Sequence, residues 1–213
     1  MKEGYIPQAQ RKKILLLCDD IRMTSGISTM AREIILGTAH HYNWVNLGGA
    51  INHPDQGKRF DLNADTNQHA GIDDASVVLY PINGYGDPML LKQIIQMEKP
   101  DALMMFTDPR YWVWLFQMEH EIRKTMPIIY LNIWDDLPYP MYNKSFYESC
   151  DALLAISKQT ENINHCVLGA ELSAEKVIKY VPHGINESFF FPFNSSHPEY
   201  LALQEFKKQI FGN

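Results

Sequence analysis

The sequence predicts an α/β domain built on a mainly parallel, doubly wound sheet, and three observations carry that expectation. Short apolar runs alternate with helix-period segments seven times along the 213 residues. The first run, Lys13 to Cys18 (KILLLC), is apolar throughout, as a central strand covered on both faces requires. Several runs stop at a proline or glycine and hand over to a helix-starting residue, which is how strand-to-helix turns are written.

Composition sets the outer limits. With 46% hydrophobic and 21% charged residues the chain reads as globular, and 213 residues suit one large domain or two small ones. A formal net charge of −6 argues against a nucleic-acid backbone as the main partner. The three cysteines, Cys18, Cys150 and Cys166, lack CxxC spacing. They read as thiols of a reducing compartment, with Cys18 and Cys150 buried in or beside strands. No apolar run approaches 18 residues and no signal peptide opens the chain, so a cytoplasmic location is expected, with peripheral membrane association left open.

The elements follow in order. Residues 1–12 are polar. After the first strand comes a loop, Asp19 to Ser28, with one glycine, Gly26, and then a helix from about Ser28, as N-cap, to His40. A helix N-terminus after such a loop can hold a phosphate through free N–H groups and a partial positive charge. Neither GxGxxG nor a P-loop is present, so on spacing alone a tight turn is the simpler reading. Arg22 in this loop is a candidate partner for an anionic group.

Asn43 to Leu47 is the second strand. Gly48 to Ala75 reads as one long polar loop, functional or mobile, with Lys58 to Leu62 as a candidate edge strand. Ser76 to Tyr80 is the third strand. Asn83 to Asp87 (NGYGD) is a glycine-rich loop, with Asp87 as N-cap and Pro88 at the first position of a helix that ends at Lys99-Pro100. The fourth strand, Asp101 to Phe106, leads to Asp108-Pro109-Arg110. Asp108 and Pro109 make a helix start, and Asp108 and Arg110 are also candidates to meet a substrate's hydroxyls. A single helix is predicted over Tyr111 to Lys124, with Trp112, Leu115, Phe116 and Glu119 inward. His120-Glu121 is no zinc motif, because Lys124 stands where HExxH needs histidine.

Pro127 to Ile133 is the fifth strand, followed by Asp135-Asp136. Pro138 to Ser149 contains a short helix, for which Asp136 is a candidate cap. The sixth strand, Asp151 to Ile156, opens through Ser157, an N-cap, into the next helix. A short turn at Ser173 to Lys176 precedes the seventh strand, which stops at Val181-Pro182. His183 and Asn186 are left at its carboxyl end, where ligands bind in open parallel sheets.

Val181 to Asn186 (VPHGIN), followed by Phe191-Pro192, resembles the VIPNGVD…F.P segment of family 4 (group 1) glycosyltransferases. These are retaining enzymes with two Rossmann-like domains, a GT-B-type architecture. AISKQT, Ala155 to Thr160, is similar to the family's AVSexT pattern, and Asp135-Asp136 stands where many members have His-Asp. The resemblance spans roughly residues 13–211. It implies a seven-stranded sheet in the order 3-2-1-4-5-6-7, forming an N-terminal Rossmann-like acceptor domain over residues 1–193. Residues 194–213 would be the linker and helix that lead to a C-terminal donor-binding domain.

The same resemblance implies a site. Ser25-Gly26 takes the place of the family's Gly-Gly loop against the donor's phosphates. Asp135 replaces the histidine beside the donor sugar and becomes the candidate catalytic residue. Asp136, Ser157, His183, Gly184 and Asn186 are candidate donor or acceptor contacts, with Arg22, Asp108 and Arg110. The implied partners are a nucleotide-sugar donor and a carbohydrate, lipid-linked or other hydroxyl acceptor, with no metal cofactor. The family's sugar-holding glutamate pair lies in the second domain, so these 213 residues alone are expected to be inactive. Two further readings stay open: a non-catalytic α/β ligand-binding module, and the acceptor-binding subunit of a split glycosyltransferase. A signalling receiver domain does not fit, because its third strand ends in a phosphate-accepting Asp and this one ends Tyr80-Pro81.

Overall fold

The computed structural model describes residues 2–212. The chain divides into two compact units, Met1–Pro182 and His183–Asn213.

In the first unit the strands are β1 (Lys12–Asp19), β2 (Tyr42–Gly49), β3 (Phe60–Asp61), β4 (Val77–Pro81), β5 (Ala102–Met105), β6 (Ile128–Asn132), β7 (Ala152–Ala155) and β8 (Val177–Tyr180). They form one sheet in the order β3-β4-β2-β1-β5-β6-β7-β8. Every pairing is parallel except β3 with β4. The seven parallel strands therefore take the order implied by the resemblance, with the short antiparallel strand added at the edge. The sheet grows outward from β1 in one direction and then from β5 in the other, so the β1/β5 boundary is the topological switch point.

The helices of this unit are α1 (Gly26–Thr38), α2 (Asn63–Ala70), α3 (Pro88–Glu98), α4 (Val113–Phe116), α5 (Glu119–Ile122), α6 (Lys144–Glu148), α7 (Lys158–Leu168) and α8 (Ala170–Glu175). Alternate residues of β1 serve opposite faces of the sheet. Leu15 and Leu17 join one core with Leu47, Tyr80, Met105, Trp112 and Ile163. Ile14, Leu16 and Cys18 join the other with Ala31, Ile35, Trp44 and Phe106. Burial on both faces is why KILLLC carries no polar alternation; each such side chain contributes about 1.5–3 kcal/mol. Cys18 and Cys150 are buried as expected, and burial pushes the Cys150 thiol up to about 12, where it is unreactive.

Caps follow the sequence in three places. Asp87 accepts from the Met89 and Leu90 N–H groups at 2.9 and 3.0 Å, with Pro88 in the first turn. Asp108 and Ser157 cap the elements that follow them.

Four expectations need correction. Helix α1 begins at Gly26 with Ser25 as N-cap, not at Ser28. Ser28 is fully buried, and its hydroxyl donates to the Asp20 carbonyl at 2.8 Å. Gly48 to Ala75 is not one loop: β2 runs to Gly49 and α2 fills residues 63–70, while β3, pairing with β4 at the sheet edge, falls within the edge strand expected at Lys58 to Leu62. Helix α2 has the sequence NADTNQHA and buries only Thr66 and Ala70, so no apolar period announces it. Tyr111 to Lys124 is not one helix but a 3₁₀ turn at Pro109–Trp112 followed by α4 and α5. Four large aromatics fall within six residues there and cannot share one helix face; Trp112 and Leu115 are fully buried, while Tyr111 and Val113 are exposed. The turn expected at Ser173 to Lys176 is instead the end of α8.

In the second unit, the Asn186 carbonyl accepts from the N–H groups of Phe189 and Phe190, and the Asn186 side chain accepts from Ser188 N at 3.0 Å. The rings of Phe191, Phe193 and His197 pack together, and α9 (Tyr200–Phe211) follows.

Candidate functional site

In a parallel sheet every strand delivers its following loop to the same rim. Gly26, Asp108, Asp135 and Ser157 lie in the loops or first turns after β1, β5, β6 and β7, and so share that rim. Ser25, Arg22, Arg110 and Asp136 belong to the same loops. His183, Gly184 and Asn186 belong to the second unit.

The centre of the rim is the switch point, where Asp19 ends β1. Its side chain is almost wholly buried, and its hydrogen bonds come from hydroxyls: Ser25 Oγ donates to Oδ2 at 2.6 Å and Tyr85 Oη to Oδ1 at 3.2 Å. Ser25 thus both caps α1, accepting from Ser28 N at 3.0 Å, and ties the β1 loop to the strand end. A glycine at position 25 could do neither. Gly26 is exposed, with open space where a Cβ would stand, so a ligand can reach the first turn of α1 closely.

Tyr85 comes from the glycine-rich loop after β4. Its ring stacks on Tyr111 at 4.7 Å and meets Trp112 edge-on at 5.2 Å. The close approach of backbones lets it in: a Cβ on Gly49 would overlap the Gly84 carbonyl oxygen, and Ala50 N donates to that oxygen at 2.7 Å. Burial, then the negative charge of Asp19, pushes the Tyr85 hydroxyl up to about 12. Its value in the unfolded chain is about 10. The stability it contributes is therefore complete below pH ~10 and lost as the pH rises toward 12. Tyr85→Phe is expected to lose less stability than the wild type over that interval, measured by urea denaturation at a series of pH values. Parallel pH profiles would overturn the assignment.

Both arginines of the rim arrive already neutralised. Arg22 grips Asp20, with Nε to Oδ1 at 3.0 Å and Nη2 to Oδ2 at 2.7 Å, and lies 4.5 Å over the Phe60 ring. Its Nη2 also meets His53 Nε2 at 2.9 Å. Arg110 grips Asp108 in the same way, with Nε to Oδ1 at 3.0 Å and Nη2 to Oδ2 at 2.5 Å. This pairing raises the Arg110 guanidinium and holds the Asp108 carboxyl below its usual value. Arg110 also lies about 6 Å from the Trp134 and Tyr142 rings. Asp108 therefore caps the 3₁₀ turn, as the sequence suggests, and also fixes an exposed guanidinium on the rim.

The loop after β6 is shaped from behind. Buried Asn132 accepts from Trp134 N at 3.0 Å and donates to Tyr147 Oη and Asn164 Oδ1. Thr160 Oγ1 donates to the Trp134 carbonyl at 2.8 Å, and Ser157 Oγ caps α7 by accepting from Thr160 N. Asp135 is exposed, and no described residue donates to its carboxylate; only its backbone carbonyl is bound, by Gln159 Nε2 at 2.9 Å. Asp136 does not cap the following helix. Its carboxylate accepts from the adjacent Leu137 N at 2.8 Å, and α6 starts behind Asn143 without a side-chain cap.

Asp19, Tyr85, His53 and Asn132 were not legible as site residues. Asp19 reads as the end of a strand, and Tyr85 is one aromatic among many. Among the described residues, no three His, Cys, Asp or Glu side chains gather as metal ligands would, and no helix is long and apolar enough to cross a membrane.

No protein-family model matches the sequence, and no curated protein matches it. Among solved structures, the chain is similar to one from E. coli described as trehalose-6-phosphate bound with UDP-2-fluoro glucose. The identity is 11%, the TM-score 0.53, and the match covers 93% of this chain and 55% of the other. This chain thus spans about half the length of that structure. The likeness is one of fold: a Rossmann-like α/β domain on a mainly parallel sheet.

Proposed function

We propose that the chain is the N-terminal, acceptor-side domain of a retaining glycosyltransferase that takes its sugar from a nucleotide-sugar. The observation that carries this reading is the likeness of fold across 93% of the chain; that Gly26, Asp108, Asp135 and Ser157 follow the carboxyl ends of parallel strands supports it. The bound nucleotide-sugar analogue named for that neighbour supports a donor of the same class. In such a reaction the departing phosphate takes the acceptor's proton, so the protein's work is positioning and charge stabilisation. The first turn of α1 would face phosphate, and the fixed Arg110 and Asp108 would meet acceptor hydroxyls. Asp135, whose carboxylate accepts from no described residue, would orient the reacting sugar. His183, Gly184 and Asn186 would serve as further donor or acceptor contacts, with residues 194–213 as linker and helix toward a donor-binding domain.

Residues 1–213 alone are expected to fold, show negligible transfer and bind a nucleotide-sugar such as UDP-glucose only weakly. Titration calorimetry together with a transfer assay checks this. Micromolar binding to these residues would overturn the assignment of donor binding to a second domain. Absence of transfer from any nucleotide-sugar by the chain joined to a donor-binding half would overturn the enzyme.

A further inference from the structure

A cavity of about 350 Å3 opens between α1 and α2, beside the loop that follows β1, and plays no part in the proposed transfer. Ile21, Ile35, Leu36 and Leu62 give it apolar walls, while Arg22, Arg32 and Asp65 bring charge to it. That volume lies in the range of sites that hold small organic molecules, which are mostly apolar with a few placed polar groups.

The two arginines differ in how far they are engaged. Arg32 meets Asp65 by one long hydrogen bond, Nη2 to Oδ2 at 3.4 Å, so its planar fork is not matched to a carboxylate. Arg22 uses Nε and Nη2 on Asp20, and no described residue accepts from its Nη1. It cannot swing away, because Asp20 behind it is buried and its face rests on Phe60. Spare guanidinium donors beside an apolar wall suit an oxyanion on an apolar body, since a planar fork binds carboxylate or phosphate oxygens two at a time. Asp20 and Asp65 balance the two guanidinium charges, so a ligand is held through the spare donors and can bring no more than a single charge.

We propose that this cavity binds a small amphipathic monoanion: an aryl or short-chain apolar body carrying one carboxylate-like group. The anion takes the Arg32 fork in place of Asp65 and receives a further hydrogen bond from Arg22 Nη1. The apolar body lies against Ile35, Leu36 and Leu62. The site is distinct from the candidate residues of the rim other than Arg22, and the proposal stands whether or not the chain belongs to a glycosyltransferase.

Titration of residues 1–213 with 4-phenylbutyrate, followed by NMR or calorimetry, tests it, with 4-phenylbutanol as the uncharged counterpart. Saturable one-site binding is expected, about 10-fold weaker for the alcohol and about 10-fold weaker in Arg32→Ala, whose side chain is 44% exposed and whose loss is expected to leave the fold intact. Leu36→Trp fills the cavity and should abolish binding at an unchanged melting temperature. No saturation by about 5 mM in the wild-type protein overturns the proposal, as does equal binding of the alcohol or unchanged affinity in Arg32→Ala.

Discussion

Alanine at Asp135 is expected to lower kcat/KM about 100-fold or more in the two-domain glycosyltransferase proposed above, a loss of roughly 3 kcal/mol of transition-state stabilisation. The melting temperature should not move. The carboxylate is exposed and accepts nothing from the described residues, while the loop around it is held through backbone groups by Gln159, Thr160 and Asn132. A residue whose carboxylate holds nothing in place, at a rim proposed to meet substrate, is one whose loss shows in turnover alone. Asp136→Ala makes the comparison: it forfeits one hydrogen bond to Leu137 N and should change turnover little. Wild-type turnover in Asp135→Ala would remove this loop from the chemistry.

The largest effect on stability is expected at Gly49. Adding one methyl there drives a Cβ into the Gly84 carbonyl oxygen, a backbone atom that cannot rotate aside. Either β2 or the loop after β4 must shift, and overpacking of this kind costs about 1–3 kcal/mol, occasionally more. The same shift moves Tyr85 away from Asp19, because Gly84 and Tyr85 are neighbours in the chain. Gly49→Ala should therefore lower the urea midpoint and also abolish the alkaline signature attributed to Tyr85. A normal midpoint would mean that the loop yields more easily than its hydrogen bonds to Ala50 and Ile51 suggest.

The parallel framework was legible because its strands are buried on both faces and punctuated by caps whose chemistry is local. KILLLC, Asp87-Pro88 and Ser157 each carry their own physical instruction within a few residues. What could not be read depended on distant partners. Helix α2 is polar nearly all round and is held by two of its asparagines, Asn63 Oδ1 accepting from Val77 N and Asn67 Oδ1 from Ala75 N. The segment Tyr111 to Lys124 has helical composition, yet packing of Trp112 decides its course. At the site, the sequence offers Asp108 and Arg110 as neighbours but not their fork, and Ser25 as a missing glycine rather than a cap. The Asp19–Tyr85 contact joins residues 66 apart and has no local trace.

The two-residue strand β3 has a consequence for how this sheet meets other chains. A parallel sheet that ended at β4 would offer a row of unsatisfied peptide groups to any passing strand. Here that flank is occupied along its length. Phe60 and Asp61 pair with Leu79 and Val78, Leu62 N donates to the Val77 carbonyl, Asn63 Oδ1 accepts from Val77 N, and Gly57 N reaches the Pro81 carbonyl at 3.4 Å. The segment between β2 and β4 thus acts as a selvedge, the woven border that keeps a cloth from being extended or unravelled at that side. Templated growth from β4 is closed off without lengthening the strand or charging it, and β4 can stay wholly apolar in its sequence, VVLYP, because no neighbour can read it.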